Sequence, residues 1–142
     1  RSQHEHMVDK VRKASSRDLG DTVVGVWGLT FKADTDDLRD SPSLVIAGHL
    51  VEAGATVRAY DPAAGEQAAS RVPGIEICAD PYDAAAGADV VALLTEWDQF
   101  RWLDFDRVRD VMRTPAIVDA RNLLDPAAMR RRGFTYDGVG RR

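Results

Sequence analysis

Three times in this chain a helix-capping residue is followed at once by proline: Ser41-Pro42, Asp80-Pro81 and Asp125-Pro126. A Ser or Asp side-chain oxygen can accept one of the free N–H groups at a helix start. Proline suits the first helical turn because its missing N–H is not needed there and its φ is already helical. Each pair therefore fixes the start of a helix. Before each lies a short apolar run: Val23, Val24, Val26 and Trp27, then residues 75–78, then Ala116–Asp119. Strand followed by helix, repeated, leaves few options. Parallel strands need a crossover, and the crossover is usually a helix.

The rest of the chain fits that frame. Residues 3–18 place Met7, Val8 and Val11 at helical spacing, which predicts an amphipathic helix, and Gly20-Asp21 predicts a turn. After Ser41-Pro42, Leu44, Val45, Ala47, Gly48 and Val51 give a 3.6-residue face that Gly54 ends. Thr56–Tyr60 reads as a strand, 63–71 as a helix and Pro73-Gly74 as a turn. Residues 80–86 read as a helix closed by Gly87. Residues 88–95, with Val90, Val91, Leu93 and Leu94, form the most strongly apolar strand. Residues 104–112 read as a helix, 126–132 as another closed by Gly133, and 134–136 as a last edge strand. The strands lack clean alternation, as strands covered on both faces do. The expectation is an α/β fold: a three-layer α/β/α sandwich with a mostly parallel sheet of five or six strands and Rossmann-like topology, preceded by an N-terminal helix.

Composition narrows the function. A chain of 142 residues supports one domain with a real core and is too short for a two-domain cofactor enzyme. A single Cys can form neither an internal disulfide nor a Cys-based zinc site, and a reducing compartment, most simply the cytoplasm, is expected. A net charge of −4 disfavours a general nucleic-acid or membrane-surface binder. No apolar run approaches the roughly 20 residues of a membrane span. Lys is scarce: Lys10, Lys13 and Lys32 stand against 16 Arg.

In open parallel sheets, ligands bind beyond the carboxyl ends of the strands. The first such loop, residues 28–42, is long and polar. Gly25 and Gly28, with Asp61 ending the second strand, only superficially suggest a dinucleotide site. The fingerprint needs three glycines turning directly into a helix, whereas about a dozen loop residues intervene here; Asp61-Pro62 is expected instead to cap the following helix. Lys32 and Arg39 could bind phosphate or sugar oxygens, or could pair with Asp34, Asp36, Asp37 and Asp40 on a solvated loop; spacing alone favours the second. Arg121-Asn122 follows a strand ending on the same edge as Lys32. Two cations and an Asn amide there would suit a diphosphate and a base or sugar, with a loop-to-helix salt bridge as the alternative. His4-Glu5-His6 lacks helical metal-ligand spacing. Cys78 reads as a core residue, Trp97, Phe100, Trp102 and Phe105 as packing or interface aromatics, and Arg130 to Arg132 as a helix terminus complementing the dipole.

Gly25-Val-Trp-Gly28-Leu-Thr-Phe31-Lys32, followed by Thr35-Asp36-Asp37-Leu38-Arg39-Asp40-Ser41-Pro42, resembles the signature of the UDP-glucose/GDP-mannose dehydrogenase family. The resemblance continues through Gly54-Ala55-Thr56-Val57, Ala59-Tyr60-Asp61-Pro62, Ala88-Asp89-Val90-Val91, Thr95-Glu96-Trp97 and Asp119-Ala120-Arg121-Asn122. In the last motif the family usually has Gly where Ala120 stands. Gly133-Phe134, Tyr136 and Gly140-Arg141 are similar to its final strand and tail. The likeness is to the C-terminal nucleotide-sugar-binding domain, expected at 20–142, with 1–19 the end of the preceding central helical segment. It implies NAD-dependent, two-step oxidation of a sugar primary alcohol to a carboxylate, of the UDP-glucose 6-dehydrogenase type. Phe31, Lys32 and Arg121 would then contact a UDP-sugar or GDP-sugar in the interdomain cleft, and Arg39 would bind NAD. NAD itself would be held mainly by an N-terminal domain of the parent enzyme, and the full-length protein would be a homo-oligomer. No catalytic residue is expected in this chain: the family nucleophile is a Cys in an upstream glycine-rich segment, a setting Cys78 lacks. Alone the chain should be inactive; the alternative is a stand-alone nucleotide-binding or dimerisation module without catalysis.

Overall fold

The computed structural model describes residues 3–139; the tail resemblance at Gly140-Arg141 lies outside them. The strands are β1 (Val23–Trp27), β2 (Thr56–Tyr60), β3 (Glu76–Ile77), β4 (Val90–Leu93), β5 (Ala116–Asp119) and β6 (Thr135–Gly138). The helices are α1 (Gln3–Ser15), α2 (Pro42–Glu52), α3 (Gly65–Arg71), α4 (Pro81–Ala85), α5 (Phe105–Val111) and α6 (Pro126–Arg131). One six-stranded sheet runs in the order β3-β2-β1-β4-β5-β6, with every neighbouring pair parallel. The order reverses between β1 and β4, which is the topological switch point.

Both faces of this sheet are covered, as the unalternating strands require. In β4, Val90 and Ala92 enter one core with Val24, Val26 and Leu50, while Val91 and Leu93 enter the other with Trp27, Phe100 and Val108. Helices α1, α2 and α3 cover the first face, and α4, α5 and α6 the second. Met7 and Val11 of α1 are buried in the first core. Trp27 carries the largest side chain of the second: its indole N–H donates to the Pro81 carbonyl at 3.0 Å, and its ring stacks on Phe100 at 5.6 Å.

The three cap–proline pairs behave as read. Ser41 Oγ accepts from the Leu44 N–H, Asp80 Oδ1 from Asp83 and Asp125 Oδ1 from Ala127. Asp61-Pro62 does not. Helix α3 begins at Gly65 behind Ala64, without a side-chain cap, because the Asp61 carboxylate is used in a tight turn and a neighbouring loop. Helix α1 stops at Ser15, short of residue 18, because Ser16 takes a left-handed φ of 57°. The remaining ends are trimmed: 75–78 becomes Glu76–Ile77, 88–95 becomes Val90–Leu93, and 134–136 moves on to Thr135–Gly138.

Candidate nucleotide-sugar site

The carboxyl ends of β1, β4 and β5 meet at one edge of the sheet, and their loops are bound to each other. The β1 loop leaves the strand through Gly28, whose φ is +95° and whose N–H donates to Tyr60 O at 2.8 Å. Thr30 is the crossing point. Its carbonyl accepts from Thr95 Oγ1 at 2.9 Å, and its hydroxyl accepts from the Trp97 indole N–H at 3.2 Å. Ser43 of α2 adds to the join: its Oγ donates to Leu94 O at 2.8 Å and lies 2.9 Å from Thr95 Oγ1. The loops after β1 and β4 and the start of α2 thus form one buried hydrogen-bonded unit. Phe31 and Lys32 follow it directly and are exposed, Phe31 by 45%. The Lys32 ammonium has no ion-pair or hydrogen-bond partner among the described residues. Spacing favoured a solvated loop that neutralises its cations, and for Lys32 the geometry does not bear that out.

Arg121 stands after β5. Its guanidinium pairs with Glu96, one residue past Thr95, so the loops after β4 and β5 are joined as well. The partner comes from a neighbouring strand end rather than a helix. Beside Arg121 a cavity of about 270 Å³ opens between α1 and α2, walled by His4, Met7, Ser43, Ile46 and Leu94. Asn122, at a φ of 53°, gives its amide N–H to Val139 O at 2.6 Å. It ties the end of β6 to the loop and does not present that donor to a ligand as the sequence suggested.

Arg39 lies elsewhere. Its Nε and Nη2 donate to the two oxygens of Asp37 at 3.1 and 3.2 Å, so here the solvated-loop reading holds. The Arg39 guanidinium holds the Asp37 carboxyl below the usual carboxylate range. Arg39, Arg71 and Gln67 surround an open hollow of about 470 Å³ between the β1 loop and α3. The structure therefore links the loops that carry Lys32 and Arg121 and sets Arg39 on the α3 side.

A dinucleotide is excluded from the β1 turn on local grounds. The amides that would cradle a pyrophosphate are spent: Leu29 and Thr30 donate to Asp61 Oδ2 at 2.7 and 3.1 Å. Gly25 serves packing, since a Cβ there would sit 2.6 Å from the Ala84 carbonyl oxygen. Cys78 is buried and burial pushes its thiol up to about 11, the opposite of an activated nucleophile. No cluster of three or more metal-ligating side chains occurs among the described residues. Sequence reasoning did not find Thr30, Ser43 or Asp61 as builders of this edge. Small hydroxyls leave no periodic signal, and Asp61 beside proline imitates a cap.

Residues 25–126 match the profile of the UDP-glucose/GDP-mannose dehydrogenase family, UDP binding domain. The chain is 50% identical over 124 residues to UDP-glucose 6-dehydrogenase of Pseudomonas aeruginosa, covering 83% of this chain and 27% of that protein. It is 44% identical over 132 residues to the Rhizobium meliloti UDP-glucose 6-dehydrogenase, covering 93% and 30%. Among solved structures, a UDP-glucose dehydrogenase from Pyrobaculum islandicum superposes with a TM-score of 0.79 at 30% identity, over 96% of this chain and 29% of that one. The chain thus spans about 30% of the length of these relatives.

Proposed function

The chain belongs to the UDP-glucose/GDP-mannose dehydrogenase family, and from that premise we propose that it is the C-terminal, nucleotide-sugar-binding part of an NAD-dependent UDP-glucose 6-dehydrogenase. Residues 20–142 form the binding unit and residues 1–19 close the central helical segment. Phe31, Lys32 and Arg121 contact the UDP moiety of the substrate. The Lys32 ammonium and Arg121 guanidinium take the diphosphate through charge-assisted hydrogen bonds, and the exposed Phe31 ring offers an apolar face. The observation that supports this most directly is the hydrogen-bonded bridge through Thr30, Thr95 and Glu96. It joins the loop of Lys32, which has no ion-pair partner among the described residues, to the loop of Arg121 across the switch point.

Binding energy from the diphosphate, remote from the reacting carbon, can orient the sugar hydroxymethyl group. NAD supplies the hydride acceptor when bound. The spent amides of the β1 turn fit no dinucleotide there. The 82% exposed Arg39 fits a contributed contact to a cofactor held mainly by an N-terminal domain. The parent enzyme works as a cytoplasmic homo-oligomer, and its product would serve polysaccharide biosynthesis. No helix among the described residues is long and apolar enough to cross a membrane.

The test is a UDP titration of the chain followed by backbone NMR. Shifts should concentrate at Phe31, Lys32 and Arg121. Lys32→Ala or Arg121→Ala should each weaken binding about tenfold, as loss of a charge-assisted bond of about 1.5 kcal/mol implies, and Arg39→Ala should change it little. With NAD and UDP-glucose the chain alone should form no NADH. NADH formation by the chain alone, or shifts clustered away from this edge, would refute the reading.

A further inference from the structure

Two buried carboxylates underlie the two loops that carry Lys32 and Arg121, and the geometry points to both as positioning residues for the nucleotide site. The inference rests on the proposed binding role of those two cations. Asp61 follows the last residue of β2, and the parallel register that pairs Trp27 with Tyr60 sets it beside the exit of β1. One of its oxygens, Oδ2, accepts from the Leu29 and Thr30 amides at 2.7 and 3.1 Å. The other, Oδ1, accepts from Ala63 and Ala64 at 2.8 and 3.1 Å. One side chain, 7% exposed, thus holds four backbone donors and locks two loops together. Thr30 is also where the β4 loop is joined, and Lys32 follows two residues later.

Asp119 repeats the arrangement at the other cation. It ends β5, is fully buried, and accepts from the Arg121 amide at 3.0 Å through Oδ1. Its Oδ2 accepts from the Leu124 amide at 2.8 Å and from the Tyr136 hydroxyl at 2.6 Å. The carboxylate closes the turn that carries Arg121 and anchors it to β6. Neither Asp61 nor Asp119 is assigned a ligand contact; each acts through the backbone of its loop. A βα loop with free amides could flex, or could take an anion on its own backbone. Here internal carboxylates occupy those amides, so the anion site passes to the side chains that follow, and these are aimed by a fixed backbone.

A purely structural role is separable, because the sheet has a third buried aspartate at its opposite, amino edge. Asp89 is fully buried, accepts from the Val23 amide at 2.8 Å and pairs with Arg17 and Arg113 at 3.4 and 3.5 Å. It is a matched control for lost buried hydrogen bonds. Asp61→Asn, Asp119→Asn and Asp89→Asn should be compared in the full chain by UDP titration, amide hydrogen exchange and urea unfolding. At urea-free conditions where each variant is folded, Asp61→Asn and Asp119→Asn should weaken UDP binding about five- to tenfold. Asp89→Asn should lose stability yet keep UDP affinity within about twofold. Exchange should accelerate at Leu29 and Thr30 in Asp61→Asn, and at Arg121 and Leu124 in Asp119→Asn, while Val24 and Val26 stay protected. Should Asp61→Asn fail to fold, Asp61→Glu, which keeps the charge and displaces the oxygens, should weaken UDP binding in the same direction. Unchanged UDP affinity in both loop variants, or an equal loss in Asp89→Asn, would overturn the inference. If the wild-type chain does not bind UDP, the nucleotide reading itself fails. Exchange then decides the positioning claim: acceleration confined to the loops supports it, and acceleration throughout β1, or none, overturns it.

Discussion

Gly28→Ala places one methyl group where the structure has no room for it, beside the bridge that builds the site. Gly28 has a φ of +95°, and a Cβ there would lie 2.5 Å from Thr95 Cβ, 2.7 Å from its N and 2.8 Å from its Oγ1. Two penalties apply. An L-residue forced into the positive-φ region costs about 1–2 kcal/mol. Overpacking against a segment that cannot move freely costs about 1–3 kcal/mol, and Thr95 is held by Thr30 and Ser43. The sum is about 2–5 kcal/mol, a large fraction of the stability of a domain this size. Gly48→Ala is the internal control. Gly48 lies inside α2 with no atom within 4 Å of an added Cβ and no positive φ. The same substitution there should stabilise by about 0.5–1 kcal/mol through helix propensity. The assay is urea unfolding followed by far-UV circular dichroism, comparing midpoints at equal slopes. A loss below about 1 kcal/mol for Gly28→Ala, or equal losses at both positions, would refute the reasoning that Gly28 is fixed by its contact with Thr95.

Two further outcomes are expected. Trp27→Phe removes the donor to the Pro81 carbonyl and part of the ring stacked on Phe100, and should cost about 2–4 kcal/mol in urea unfolding; a cost under about 1 kcal/mol would deny that bond its weight. Cys78 should react slowly with a thiol reagent at pH 8 until urea unfolds the chain, because its buried thiol titrates only at about 11. The unfolded thiol ionises at about 8.5, so above that pH the unfolded state gains charge that the folded state refuses, and stability falls as pH rises toward the folded value. Cys78→Ala should remove that part of the alkaline slope, and an unaltered slope or rapid native labelling would count against the burial argument.

The fold was legible from short-range chemistry. Ser41, Asp80 and Asp125 each accept a backbone N–H within three residues of themselves, so the cap and the proline beside it announce the helix without reference to the rest of the chain. The apolar strands announced a sheet covered on both faces. The edge that carries the candidate residues was legible too, since parallel strands place all their exits on one side. The motif resemblance named Phe31, Lys32, Arg39 and Arg121, but residue type and spacing alone left three of the cations between ligand contact and ordinary ion pairing.

Tertiary structure set the protein partners of those cations, because long-range register is not written in any local segment. Asp61 has the same sequence setting as the capping aspartates, yet it bonds Leu29 and Thr30, some 30 residues away, because β2 lies parallel beside β1. Arg39 and Lys32 share a loop; the turn between them, with Asp34 at a φ of 64°, lets Arg39 line the hollow beside α3, which Lys32 does not. Arg121 found Glu96 because β5 is the neighbour of β4. The sequence by itself determined which elements form and on which edge their loops emerge, through interactions a few residues long. Which side chains meet there was settled only by strand order and register, since those bring together residues that the chain keeps far apart.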